Sequence, residues 1–244
     1  MFLPPSWTCV WAAIGILLFQ FVTLSAADSH PEQDLRAIDH DDTSHGTIPL
    51  VTREYWIRYA IDLLAERTPL CNVNTFGAVI VNHTDTSSLG NVVCDGFNTV
   101  GDHGDPTLHG EMVAIRQCFD VLQKPPYSLT FAAVSAAVRD LTLYTTAEPC
   151  PMCSGAIRWT GFRECVYGTS IDTLIQRGWV QMNISSAEIF ARSDGLGTRT
   201  ALFEGVLRNE TDPLFVWQFD HNAPCPKGCN RNGKGHCVEK NSDL

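Results

Sequence analysis

The chain has 244 residues, of which 44% are hydrophobic, 18% charged and 9% aromatic. That is enough apolar material for one large core or two small ones, and it excludes a disordered chain, a collagen and a coiled coil. The formal net charge of −10 leaves little cationic surface for a phosphate backbone, so a small substrate is favoured over a nucleic-acid polymer.

Residues 10–24 form an apolar block followed by Ser25-Ala26-Ala27. This resembles a secretory signal peptide cleaved after Ala27, although no Lys or Arg precedes the block. A bilayer span needs about 20 residues, so stable membrane insertion after cleavage is not expected. The expected organisation is a signal peptide over 1–27, an acidic mobile arm over 28–51, a catalytic body over 52–222 and a cysteine-containing tail over 223–244. The arm carries Asp28, Glu32, Asp34, Asp39, Asp41 and Asp42 against Arg36. Sequons at Asn82, Asn183 and Asn209 fit a secreted glycoprotein.

Within the body, Trp56, Tyr59, Ala60, Leu63 and Leu64 recur at helical spacing and predict a helix over 53–67. Residues 76–81 (FGAVIV) and 91–97 (NVVCDGF) read as a hairpin. A helix follows over 107–122, stopped by Pro125-Pro126. Next come a strand over 141–146, a helix over 151–159 and a strand over 164–167. This order predicts an α/β fold with helices packed on a central mixed sheet. Residues 170–222 are expected to add a helix, a strand and a final helix.

His109-Gly110-Glu111 opens one predicted helix, and Pro149-Cys150-Pro151-Met152-Cys153 opens another. Two sulfurs at i and i+3 share one face of a first turn, where free N–H groups and the helix dipole favour thiolates. One imidazole and two thiolates fill three positions of a tetrahedral zinc ion and leave the fourth open for water, the arrangement of a catalytic site. Glu111, two residues after His109, stands beside that water without binding the metal and can relay its proton to a leaving group. A Cys150–Cys153 disulfide is the competing reading in an oxidising compartment, and a structural zinc would require a fourth protein ligand.

The two motifs match the H-x-E…P-C-x-x-C signature of zinc nucleobase deaminases. The segments GFNTVGDHGDPTLHGEMVAIRQC and LTLYTTAEPCPMCSGAI resemble the cytidine deaminase-like superfamily, particularly its guanine deaminase, cytosine deaminase and tRNA adenosine deaminase branches. The resemblance implies a three-layer α/β/α sandwich with a central mixed five-stranded sheet, and one catalytic Zn²⁺ on His109, Cys150 and Cys153. It implies Glu111 as proton shuttle, hydrolytic deamination of a small nucleobase or nucleoside, and a homodimer. It also nominates Asn98 as a reader of base or sugar and Phe76 as an apolar residue against the ring. Trp159 is either a pocket wall or core packing. Trp217 and Asp220 resemble the C-terminal Trp and Asp that close the pocket of fungal-type cytosine deaminases; the competing reading is a solvated Asp220 on a decorative tail.

The substrate signals point two ways: EPCPMCSGAI with Trp159 towards guanine, Thr-Leu-His-Gly-Glu and Leu-Tyr-Thr-Thr towards cytosine. Acidity opposes the tRNA-editing alternative. A non-catalytic secreted protein holding a base or zinc is the alternative from another class. Beyond the signal and the zinc ligands, Cys71, Cys94, Cys118, Cys165, Cys225, Cys229 and Cys237 cannot all pair within one chain. The tail cysteines are expected to form disulfides, with a second zinc involving His236 as the competing reading. The unpaired thiol is expected to be Cys118, unless it bridges two chains.

Overall fold

A computed structural model describes residues 47–84 and 89–240. The signal-peptide reading and most of the acidic arm lie outside the described residues. The body begins earlier than its sequence boundary: Ile48 is buried, and helix α1 (Leu50–Arg67) starts directly after an extended Pro49.

Strands β1 (Gly77–Asn82) and β2 (Asn91–Phe97) pair antiparallel as the hairpin. A short helix α2 (Val100–His103) leads to α3 (Gly110–Gln123). Helix α4 (Phe131–Ala137), which the sequence reading did not include, and a 3-10 turn precede β3 (Leu141–Ala147). Helix α5 (Pro151–Thr160) joins β3 to β4 (Glu164–Thr169). Two short helices, α6 (Ile171–Gln176) and α7 (Ser186–Ala191), come before β5 (Ala201–Phe203).

The sheet order is β2-β1-β3-β4-β5, with β1 antiparallel to both neighbours and β3, β4 and β5 parallel. Alternation along β1 decides the layering. Ala78 and Ile80 pack with Ala114, Ile115 and Cys118 of α3 and Ile157 of α5 on one face. Val79 and Val81 pack with Trp56, Ile57 and Ala60 of α1 on the other. A strand with both faces covered reads as a continuous apolar run, which is why FGAVIV lacks a polar alternation. The result is the expected three-layer α/β/α sandwich with a mixed five-stranded sheet. A buried ion pair, Arg53 to Glu164 at 3.0 Å, ties α1 to the start of β4, with the Arg53 guanidinium stacked over Phe203.

Beyond β5 the expected final helix is replaced by a short α8 (Arg208–Thr211), a 3-10 turn over Asp212–Phe215 and turns. The tail is ordered rather than appended: β6 (Cys229–Arg231) and β7 (Cys237–Glu239) form a hairpin packed on Trp217. Disulfides join Cys71 to Cys229, Cys225 to Cys237 and Cys94 to Cys118. The tail cysteines therefore serve disulfides and not a second zinc site. The expectation for Cys118 is corrected: it lies on α3 against β2, facing Cys94, whereas among the described residues the free thiol outside the metal motifs is Cys165, buried on β4. Among the described residues no helix is long and apolar enough to cross a membrane.

Candidate metal centre

His109 and Cys150 occupy equivalent places, each the extended residue that precedes the first turn of a helix, α3 and α5 respectively. Pro151 at the first helical position of α5 has its ring torsion already set for a helix and lacks an N–H that would go unbonded there. The Ser154 hydroxyl donates to the Pro149 carbonyl at 2.9 Å, and the Ser154 N–H to the Cys150 carbonyl at 2.8 Å, so the ligand turn is fixed from behind. Gly110 permits close seating of α3: a Cβ there would lie 2.9 Å from the Phe76 carbonyl oxygen.

These helix starts converge. The Sγ atoms of Cys150 and Cys153 lie 3.5 and 3.7 Å from Nδ1 of His109, and the three ligand atoms fall within 4.8 Å of one another. A tetrahedral zinc with ordinary bond lengths separates nitrogen from sulfur by about 3.6 Å, so the donor set and its spacing fit that ion. Among the described residues this is the group of His, Cys, Asp or Glu side chains placed to hold a metal, and a Cys150–Cys153 disulfide is not formed.

Crowding these groups together shifts their protonation. The Cys150 thiol is held well below its ordinary range, first by a hydrogen bond from Cys153 and then by His109. Cys153 is pushed up by that same pairing and by burial. His109 is raised by its contact with Cys150. Glu111, 5% exposed on the first turn of α3, is raised by burial and by the negative charge of Cys150. The Thr145 hydroxyl donates to its Oε1 at 3.4 Å. Thr145, from the centre of β3, escaped the sequence reading because nothing local marks a strand threonine as a site residue.

Two further expected residues border this group. The Asn98 N–H donates to the Phe76 carbonyl and the Thr99 N–H to the Leu108 carbonyl, each at 3.0 Å. The Asn98 side-chain oxygen accepts from the Val100 N–H, and the residue lines a cavity of about 260 Å³ with Asn72 and Asn74, to which neither Phe76 nor any of the three metal ligands contributes. The Phe76 ring packs against Trp179 and Phe215, with centroids 5.1 and 5.0 Å away. Trp179 donates its indole N–H to the Phe215 carbonyl at 2.9 Å. Neither Trp179 nor Phe215 was marked by the sequence, because both arrive from distant segments.

Three expectations are corrected. Trp159 is 78% exposed on α5, so it does not fill the core. Trp217 is buried with Cys229 and Cys237 in the small core of the C-terminal region. Asp220 is exposed, and its carboxylate accepts from the Asn222 N–H in a local turn. Phe215, two residues before Trp217, is the aromatic that reaches Phe76, while the Thr75 hydroxyl donates to the Leu214 carbonyl at 3.0 Å.

The family described as "Cytidine and deoxycytidylate deaminase zinc-binding region" matches residues 50–169, the span from α1 to the end of β4. The guanine deaminase of Bacillus subtilis is 33% identical over 129 residues, covering 53% of this chain and 72% of that protein. A probable cytosine deaminase of Schizosaccharomyces pombe is 38% identical over 104 residues, 41% of this chain and 51% of that protein. Among solved structures, a guanine deaminase from Nitrosomonas europaea aligns with a TM-score of 0.51 at 22% identity, over 72% of this chain and 96% of that one, a likeness of fold. The chain belongs to the cytidine and deoxycytidylate deaminase family, whose zinc-binding motifs it carries at His109, Cys150 and Cys153.

Proposed function

We propose that this protein is a secreted, zinc-dependent hydrolase that replaces an amino group on a nucleobase or nucleoside with a carbonyl oxygen and releases ammonia. Guanine and cytosine are the first substrates of this reading, supported by the guanine and cytosine deaminases among its relatives. The observation that carries it is a buried carboxyl group, Glu111, beside three convergent metal ligands with no fourth protein ligand among the described residues.

When bound on His109, Cys150 and Cys153, zinc supplies the Lewis acidity that makes a water ionise near neutral pH. Glu111 accepts that proton, and burial, which raises its affinity for protons, suits it to deliver the proton to the departing amine. Thr145 orients the carboxylate through its hydroxyl. The water contributes the carbonyl oxygen; one of its protons leaves with the amine as ammonia and the other ends on the neighbouring ring nitrogen, so no other reactant is required. Phe76, held by Trp179 and Phe215, offers a flat apolar surface to the ring, and Asn98 offers an amide with both donor and acceptor. The net charge of −10 weighs against a tRNA substrate.

Secretion is supported by three disulfides among the described residues and by exposed sequon asparagines at 183 and 209. A homodimer completes the reading, with the exposed Trp159 a candidate for its contact.

The test is to supply zinc-loaded protein with guanine, cytosine, adenine, their nucleosides and tRNA and to measure ammonia. Turnover of guanine or cytosine is expected. Activity confined to adenosine in tRNA would overturn the small-base assignment, and zinc binding without turnover of any substrate would leave a binding protein.

A further inference from the structure

Glu148 is 6% exposed, stands two residues before Cys150, and is used by none of the chemistry above. Its Oε1 accepts from the Ser186 N–H at 2.7 Å and the Ser186 hydroxyl at 2.8 Å, while Oε2 accepts from the Ile171 N–H at 2.8 Å. Its own N–H donates to the Thr169 carbonyl at 2.7 Å, where β4 ends. Ile171 and Ser186 are the first residues of α6 and α7. One carboxylate therefore holds both ends of the segment over 171–186 against the stretch that delivers Cys150.

That segment carries Trp179, whose ring touches Phe76, Phe215 and Phe219. We infer that Glu148 is a positioning residue that locks the Cys150 turn to the 171–186 segment, so that metal affinity and the placement of the aromatic wall depend on one buried carboxylate. The inference rests on the reading of His109, Cys150 and Cys153 as the metal ligands.

The chemistry requires an acid at this place. Three donors converge on two oxygens, and both oxygens must accept. An amide of the same shape keeps one acceptor and turns its own N–H donors on a backbone N–H, leaving buried donors unpaired. The Cys150 turn would then keep the Ser154 brace behind Pro149 and the Glu148 N–H bond to Thr169, but lose its side-chain tie to Ile171 and Ser186. Residues that orient metal ligands without touching the ion typically govern affinity by about 10- to 100-fold.

The experiment compares the full mature protein with its Glu148→Gln and Ser186→Ala variants by competition for zinc with a chelator. Glu148→Gln should bind zinc at least about tenfold more weakly, with free-thiol count and far-UV circular dichroism unchanged. Ser186→Ala, which removes one of three donors and keeps both backbone contacts, should lie within about threefold of wild type by the same reasoning. Hydrogen exchange on the unaltered protein covers the case in which Glu148→Gln does not fold: zinc should increase protection of the Ile171 and Ser186 amides and leave α1 unchanged. Failure of the wild-type protein to take up zinc would overturn the metal centre itself. Zinc binding by wild type with Glu148→Gln affinity within twofold, or with unchanged exchange at Ile171 and Ser186, would overturn the role of Glu148 alone.

Discussion

Around His109, Cys150 and Cys153, two helix starts are seated on a sheet whose strand β3 is buried along all seven residues. Residues 217–240, by contrast, pair only three residues per strand and gather a small core of Trp217, Cys229 and Cys237. The first region positions its functional atoms by deep packing and by turns whose hydrogen bonds are local. The second has too little apolar area to hold itself and is tied by covalent bonds to Cys71 and within its own hairpin. The C-terminal segment nevertheless matters to the site, because Phe215 leaves from its start to meet Phe76.

The sharpest way to separate the two regions is to break each alone. His109→Ala, or chelation of the wild-type protein, should lower deamination by about 10³-fold or more, measured as ammonia release, while the disulfides persist by thiol titration. Zinc should restore the chelated protein and not the variant. Replacing Cys71 and Cys229 together by serine opens a cross-link spanning 158 residues. This should cost about 3–5 kcal/mol in denaturant unfolding, the loss expected for a link closing a long loop.

A smaller effect comes from the far end of β1. Burial, then Arg163 and Arg53, push the His83 imidazole down to about 4, so it is neutral in the folded protein below the pH at which the unfolded chain takes up a proton. Between about pH 6.5 and 4 the unfolded state binds more protons, and this contribution to stability falls as pH falls, by about 2–3 kcal/mol across the window. Unfolding midpoints should show His83→Gln losing less stability than wild type over that range. Equal slopes would contradict the assignment. The smallest effect is expected at Asp220: Asp220→Asn should leave kcat/KM within twofold on every base deaminated, because its carboxylate serves only a local turn. A larger loss would return it to the site.

The same contrast explains what was legible in the sequence. His109, Glu111, Cys150 and Cys153 could be found because each motif lies within one helical turn and its chemistry depends on that spacing. The three-layer fold could be read from the apolar run of β1 and the helical periodicity of α1. Phe215, Trp179 and Thr145 could not, since their contacts join segments far apart in the chain. Trp217 and Asp220 resembled a pocket-closing pair, but Trp217 packs in the disulfide-tied core and the Asp220 carboxylate serves a local turn. Cys118 was misread because its partner, Cys94, sits on a strand that only the packing of α3 on β2 brings near. A local sign of Glu148 did exist: an acid at the end of an apolar strand, immediately before the ligand turn.

In the proposed mechanism Glu111 moves the proton and does not hold the metal. Zinc content and ammonia release measured on the same preparations of wild type and Glu111→Gln test it directly. One equivalent of zinc per chain is expected in both, with a loss of about 10²- to 10⁴-fold in turnover for the variant. Full turnover by zinc-loaded Glu111→Gln, or loss of the zinc itself, would contradict it.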